Sequence, residues 1–263
     1  MIKLTIANQR GGVGKTITAL TLARYMSEAG KKVLVVDTDS QGSIRVALKL
    51  QPSGWLHQLV DNQVGLSEVI TKTAHNVDVI CSDRRSQRIE SILNSAVARE
   101  MTFYGLLAAA EPNYDAILFD VSPSICNLQS CAIAYTKNVL IPVAMDSLSI
   151  EGAMASLQSI EVLNRLMRLG CQCVGFLPTM MDRRTSATEV VLHTLDVLSK
   201  ERNIKILHGI RTDQSVNKAL RLCKFLFDFD PKSRALEDYQ IACKQLLEVL
   251  EPANVEAQQI TVG

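Results

Sequence analysis

IANQRGGVGKT, residues 6–16, is the stretch on which the fold turns. It closes as a phosphate-binding loop closes, on Gly14-Lys15-Thr16, and an alanine- and leucine-rich segment follows at once. The usual pattern, G-x-x-x-x-G-K-[ST], asks for a glycine where this chain has Gln9, and Arg10 adds a second basic residue before Gly11 and Gly12. The setting is right for such a loop: a β-branched run ending at Asn8, a glycine-rich turn, then a helix. Gly11, Gly12 and Gly14 let the backbone curl so that successive N–H groups converge on phosphate oxygens, and the helix N-terminus adds a favourable dipole. Lys15 brings charge to the β- and γ-phosphates, and the Thr16 hydroxyl suits Mg²⁺. The expected nucleotide contacts are Gly11, Gly12, Val13, Gly14, Lys15, Thr16 and Ile17.

Outward from the loop, short apolar runs alternate with helical patterns along the whole chain. Runs at 3–8, 32–39, 77–82, 114–121, 137–144, 172–180 and 205–210 read as strands, several apolar throughout, as in a parallel sheet covered on both faces. Helical patterns occupy 15–30, 85–98, 149–169, 187–202 and 234–250. The alternation predicts an α/β fold: one doubly wound, mostly parallel sheet with helices on both faces, a P-loop domain over 1–250. Residues 251–263 carry no hydrophobic periodicity and are expected to form a flexible tail.

Composition narrows the function classes. The 263 residues are 47% hydrophobic but only 5% aromatic, so the core is expected to be aliphatic. A net charge of +1 singles out no partner, so any polyanion must meet a local patch. The opening MIKLTIAN is too short for a signal peptide, and no window approaches the roughly 18–20 apolar residues of a membrane span. Seven scattered cysteines without a secretory signal read as reduced thiols in a cytoplasmic protein.

Three carboxylates end strands. VLVVDTDSQG places Asp37 and Asp39 after one apolar run, and AILFDVSPS places Asp120 after another. Ligands of open α/β sheets sit beyond the carboxyl ends of the strands, so all three acids are expected to face the loop. An acid in such a position suits a water-ligated Mg²⁺.

Together, NQRGGVGKT, VVDTDSQG, YDAILFDVSPS, LPTMMDRRT (177–185) and FDFDPKSRALEDY (227–239) resemble the ParA/Soj partition ATPases, whose deviant loop, K-G-G-x-G-K-[ST], lacks the early glycine. Gln9 is then no defect. The resemblance spans nearly the whole chain and implies an ATPase with ATP and Mg²⁺ as cofactors. It implies that Lys15 and Thr16 bind phosphate and metal, that Asp39 positions the attacking water, that Asp120 and Asp39 reach magnesium through water, and that Pro178, Thr179 and Met180 lie near the adenine. It further implies a homodimer in the ATP state that binds nonspecific DNA and so associates with the nucleoid. Release would follow when a small cargo-linked adaptor or centromere-binding protein stimulates hydrolysis. The cargo would be a plasmid, a chromosome or a large assembly such as a carboxysome. Three positions depart from the family pattern. Arg10 stands where the signature lysine reaches across the dimer, keeping charge but presenting a planar fork, and is a candidate finger in trans. Ser40 and Ser122 replace prolines and are expected to loosen the two switch loops.

The carboxyl third is polarised. Nine basic residues face four acids between Lys200 and Arg234, whereas one lysine faces five acids from Ala235 onward. Lys218, Arg221 and Lys224 recur every third residue and, with Arg211, are the candidate DNA contacts, able to neutralise phosphates without reading bases. DRRSQR (83–88) is a second basic cluster, expected to start a solvent-facing helix. Other readings are weaker. A membrane-positioning ATPase needs a basic amphipathic carboxyl-terminal helix, but no Lys or Arg follows Pro252. An iron–sulfur reductase of the nitrogenase iron protein type would use a cysteine near Cys126, but Cys81 and Cys131 lie in no matching loop. An ATP-gated binding module with negligible turnover is the third alternative.

Overall fold

The computed structural model describes residues 1–251 other than Ile125 and Arg183. Its strands are β1 (Ile2–Ile6), β2 (Val33–Asp37), β3 (Ile70–Lys72), β4 (Val77–Ile80), β5 (Ala116–Asp120), β6 (Asn138–Ala144) and β7 (Gln172–Thr179). Helices of the first half are α1 (Lys15–Glu28), α2 (Ser43–Ala47), α3 (Leu56–Val60), α4 (Leu66–Val69), α5 (Gln87–Ser95) and α6 (Thr102–Leu107). Those of the second half are α7 (Asn127–Thr136), α8 (Ser147–Met167), α9 (Ser186–Arg202), α10 (Gln214–Arg221), α11 (Leu226–Phe229) and α12 (Arg234–Leu250).

The strands form one seven-stranded sheet in the order β3-β4-β2-β5-β1-β6-β7, parallel except for the β3 edge. Apolar runs are continuous because each strand feeds two cores. Leu34, Val36, Ile117 and Phe119 pack on the face covered by α3 to α9, while Val33, Val35, Ala116 and Leu118 pack on the face of α1, α2 and α10 to α12. α1 is buried nearly all round, with Leu20, Leu22, Ala23 and Met26 in that second core, which explains why its apolar residues show little one-sidedness.

The register sets the site. Asp37 and Asp120 are directly paired at the carboxyl ends of β2 and β5, and Ile6 pairs with Asp120 one strand further on. Three adjacent strands therefore end level, and the loop after β1 opens beside both acids.

One expected strand is corrected. Residues 205–210 make only isolated bridges, at Ile206 and flanking Arg211, because the ladder with β7 breaks where the His208 N–H turns to Gln245 Oε1 (2.7 Å). The antiparallel strand β3 has no counterpart among the expected strands, since three residues carry no measurable alternation. The tail expected at 251–263 lies, past Glu251, outside the described residues.

Candidate functional site

The loop after β1 is fastened to α8 through the residues that depart from the usual pattern. Gln9 Nε2 donates to the Ala155 carbonyl (3.1 Å) and the Ser159 hydroxyl (3.0 Å), and the Gln9 N–H donates to the Gly152 carbonyl (3.3 Å). Asn8 Nδ2 donates to the carbonyls of Pro142 and Ser149, while its Oδ1 accepts the Arg10 N–H (2.9 Å). A glycine at 9 could make none of the side-chain contacts. Gly152 permits the approach: a Cβ there would run into Asn8 Oδ1 and come within 2.9 Å of Arg10 N.

Past this anchor the backbone turns through Gly12 (φ 78°) and Gly14 (φ 89°), left-handed conformations that favour glycine. α1 then begins with no side-chain cap and no acid in its first turn, leaving its N–H groups for an anion. Lys15 is 7% exposed, and its Nζ donates to the carbonyls of Asn8 (3.0 Å) and Arg10 (2.9 Å). Burial lowers the Lys15 pKa, while Asp120 and Asp39 pull it back up. Arg10 keeps its side chain exposed and in no ion pair with a described residue.

The three acids have separate tasks. Asp37 is fully buried: Oδ1 accepts the Asp39 N–H (3.0 Å) and Oδ2 accepts the Ile44 N–H (3.2 Å), so it ties both ends of the segment leading into α2. Burial and the neighbouring Asp120 push its carboxyl well above the usual range. Asp39 is half-buried and spends one oxygen on the Gln41 N–H (2.9 Å). Asp120 is fully buried with neither carboxylate oxygen hydrogen-bonded. Burial pushes its pKa up to about 7, with the nearby Thr16 hydroxyl and Lys15 pulling down and Asp39 pushing up. A buried, unpartnered carboxylate beside Thr16 fits a hydrated divalent cation, which would stabilise its anionic form. Asp37's role in tying the loop was not read from the sequence. Its signal was present only as a second aspartate two residues before Asp39.

Beside the loop a cleft opens between Gly14, Ile17, Thr179, Met180, Thr212, Asp213, Val216 and Asn217. Thr179 Oγ1 donates to the Val13 carbonyl (2.9 Å), joining the cleft wall to the loop. Met180 is exposed at φ 54°, whereas Pro178 is buried behind the wall, where its carbonyl accepts the Ile210 N–H (2.8 Å). Asp213, Val216 and Asn217 come from the start of α10, some 200 residues from the loop, and no local pattern marks them.

Of the candidate DNA contacts, Lys218, Arg221 and Lys224 are exposed on α10 and the turn after it. Arg211 stands apart. Its guanidinium donates to both oxygens of buried Asp238 (2.8 and 2.7 Å) and to Glu237 (2.9 Å), which push its pKa up. Arg211 is therefore committed to holding the 210–213 loop on α12, a role that charge counting does not separate from a surface one. Of the cysteines, Cys81 and Cys131 are core thiols pushed up to about 12 by burial, and Cys126 Sγ caps α7 by accepting the Gln129 N–H (3.4 Å).

Residues 1–169 match the AAA domain family. The chain is 29% identical over 247 residues to the sporulation initiation inhibitor protein Soj of Bacillus subtilis, covering 92% of this chain and 97% of that protein. It is 30% identical over 190 residues to the chromosome-partitioning ATPase Soj of Treponema pallidum, covering 72% and 75% of the two chains. The chain belongs to the ParA/Soj family of partition ATPases. Its fold matches that of McdA from Cyanothece in a complex with ATP, with a TM-score of 0.84 at 20% identity over 95% of this chain and 96% of that one. In this ParA/Soj-type ATPase the close approach of α8 to the loop carries a testable consequence. Gly152→Ala should displace Asn8 and Arg10 and weaken ATP binding about tenfold, overpacking costing about 1–3 kcal/mol, while the sheet stays folded. Calorimetry beside a thermal melt checks this, and unchanged affinity would mean the loop yields freely at that contact.

Proposed function

We propose that the chain is an ATP-driven dimerising switch that binds duplex DNA without sequence preference in its ATP state and is reset by partner-stimulated hydrolysis. Mg²⁺-ATP would bind with its phosphates on Gly11–Thr16, its metal near Thr16 with Asp120 and Asp39 acting through water, and its base in the cleft of Thr179, Met180, Asp213 and Asn217. The metal, when bound, would neutralise phosphate charge; Asp39 would orient water. Arg10, exposed on the outer turn of the loop, would reach the facing subunit's nucleotide in the homodimer. The chain would then act in the cytoplasm on the nucleoid, moving a plasmid, chromosome or large assembly through an adaptor or centromere-binding protein.

One observation carries the DNA part of this reading. Among the basic residues between 200 and 234, Lys200 pairs with Asp196, Arg202 with Glu161 and Arg211 with Asp238. Lys218, Arg221 and Lys224, like Lys205, Lys232 and Arg234, form no ion pair with a described residue, and these three follow one another, exposed, along α10 and the turn after it. Such a run of exposed cations without internal partners suits phosphate backbone, which binds by charge and releases counterions. Reversing two of them, Arg221→Glu with Lys224→Glu, should abolish DNA binding by the ATP form while leaving ATP-driven dimerisation intact. About three phosphate contacts per subunit from α10 should by themselves make log affinity of the dimer fall with log salt at a slope of roughly −5. A slope near zero, or preference for one sequence, would remove DNA from the proposal.

A further inference from the structure

We infer that the DNA face does not end at α10 but continues across α2 onto Arg84 and Arg88, so that bound DNA touches the helix that terminates the catalytic loop. This rests on the DNA-binding reading above and extends it. The turn after α10 is joined to α2: Cys223 Sγ donates to the Val46 carbonyl at 3.6 Å, and Leu222 and Val46 are both more than half exposed beside that contact. α2 is joined in turn to the segment after β4. Gly42, at φ 62°, lies so close that a Cβ would sit 2.5 Å from the Ser82 carbonyl oxygen. Arg45 of α2 and Arg85 then share one indole, with their guanidinium carbons 5.9 and 5.2 Å from the centroid of Trp55. Asp83 neutralises Arg85 at 2.6 Å, but Arg84 and Arg88 are exposed and form no ion pair with a described residue.

A chain of contacts thus links the cations of α10 to those of DRRSQR, and α2 is the middle link. Duplex DNA, with one charge per ~1.7 Å of axis, is a ligand of the sign and continuous charge to engage both ends. The middle link is also tied to chemistry, because the Ile44 N–H at the start of α2 donates to Asp37, whose other oxygen holds Asp39. DNA that spans the two cationic groups favours one placement of α2, and therefore one placement of the Asp37–Ile44 loop. Linkage then requires that DNA raise ATP affinity by the factor by which ATP raises DNA affinity.

The test compares wild type, Arg84→Ala/Arg88→Ala and Arg221→Glu/Lys224→Glu, each with ATP and Mg²⁺, by fluorescence anisotropy of a labelled duplex of random sequence across a salt series. Arg84 and Arg88 make no ion pair with a described residue, so their loss should leave folding and ATP-driven dimerisation unchanged. The expected result is DNA binding about tenfold weaker than wild type, with a salt slope shallower by roughly 2 per subunit. DNA should also shift the emission of Trp55, the single tryptophan, in the wild-type protein. Unchanged affinity and slope in Arg84→Ala/Arg88→Ala, with binding lost in the α10 variant, would confine DNA to α10, overturning the extension and leaving the proposed function standing. Absence of DNA binding by the wild type would overturn both. If the arginine variant instead loses binding of poly-glutamate while holding DNA normally, the patch serves an acidic protein segment and the extension fails.

Discussion

Lys15→Ala is expected to weaken Mg²⁺-ATP binding at least ~100-fold. In the structure Lys15 Nζ lies almost fully buried on the Asn8 and Arg10 carbonyls, a short movement of a flexible side chain from any anion held by the loop. Hydrogen bonds to a charged partner are worth about 1.5–3 kcal/mol each, and a lysine shared by two phosphates makes at least two. At about 1.4 kcal/mol per tenfold, the loss spans two orders of magnitude or more. The variant also leaves two loop carbonyls without their donor, so the backbone cradle should loosen. Calorimetry with ATP and Mg²⁺ decides the matter, and wild-type affinity would move the nucleotide site elsewhere.

Asp39→Ala should behave in the opposite way, keeping ATP and losing turnover by about 10²–10³, the usual contribution of a group that positions or deprotonates a nucleophile. The separation of tasks among the acids makes this outcome sharp. Asp37, not Asp39, ties the loop to α2, and Asp120 would still serve the metal, so within the protein removing Asp39 costs the loop one bond to the Gln41 N–H. The ATP-bound dimer should therefore accumulate, visible by light scattering as a doubled mass that persists while wild type decays. A single mass in every nucleotide state would remove the dimer from the proposed cycle.

What the sequence made legible followed from local chemistry. Glycines at 12 and 14, a lysine and threonine at a helix start, and acids after apolar runs each declare themselves within ten residues, and the sheet brings them together as expected. What it hid depended on contacts between distant segments. Asn217 lines the cleft only because α10 folds back beside Thr179. Arg211 counted as a surface cation until Asp238, 27 positions later, claimed it. The strand expected at 205–210 had the right residues, but its ladder is interrupted by a glutamine from α12.

Gln9 has a wider consequence. Scored one position at a time against the conventional loop, it is an error; in space it is a fastener that holds the loop to a helix 146 residues away. Mutational drift in α8 is therefore drift in the phosphate site, because Gly152, Ala155 and Ser159 are the other half of a joint whose first half is the deviant residue itself. Loop and helix therefore constrain each other's residues across the whole of that separation.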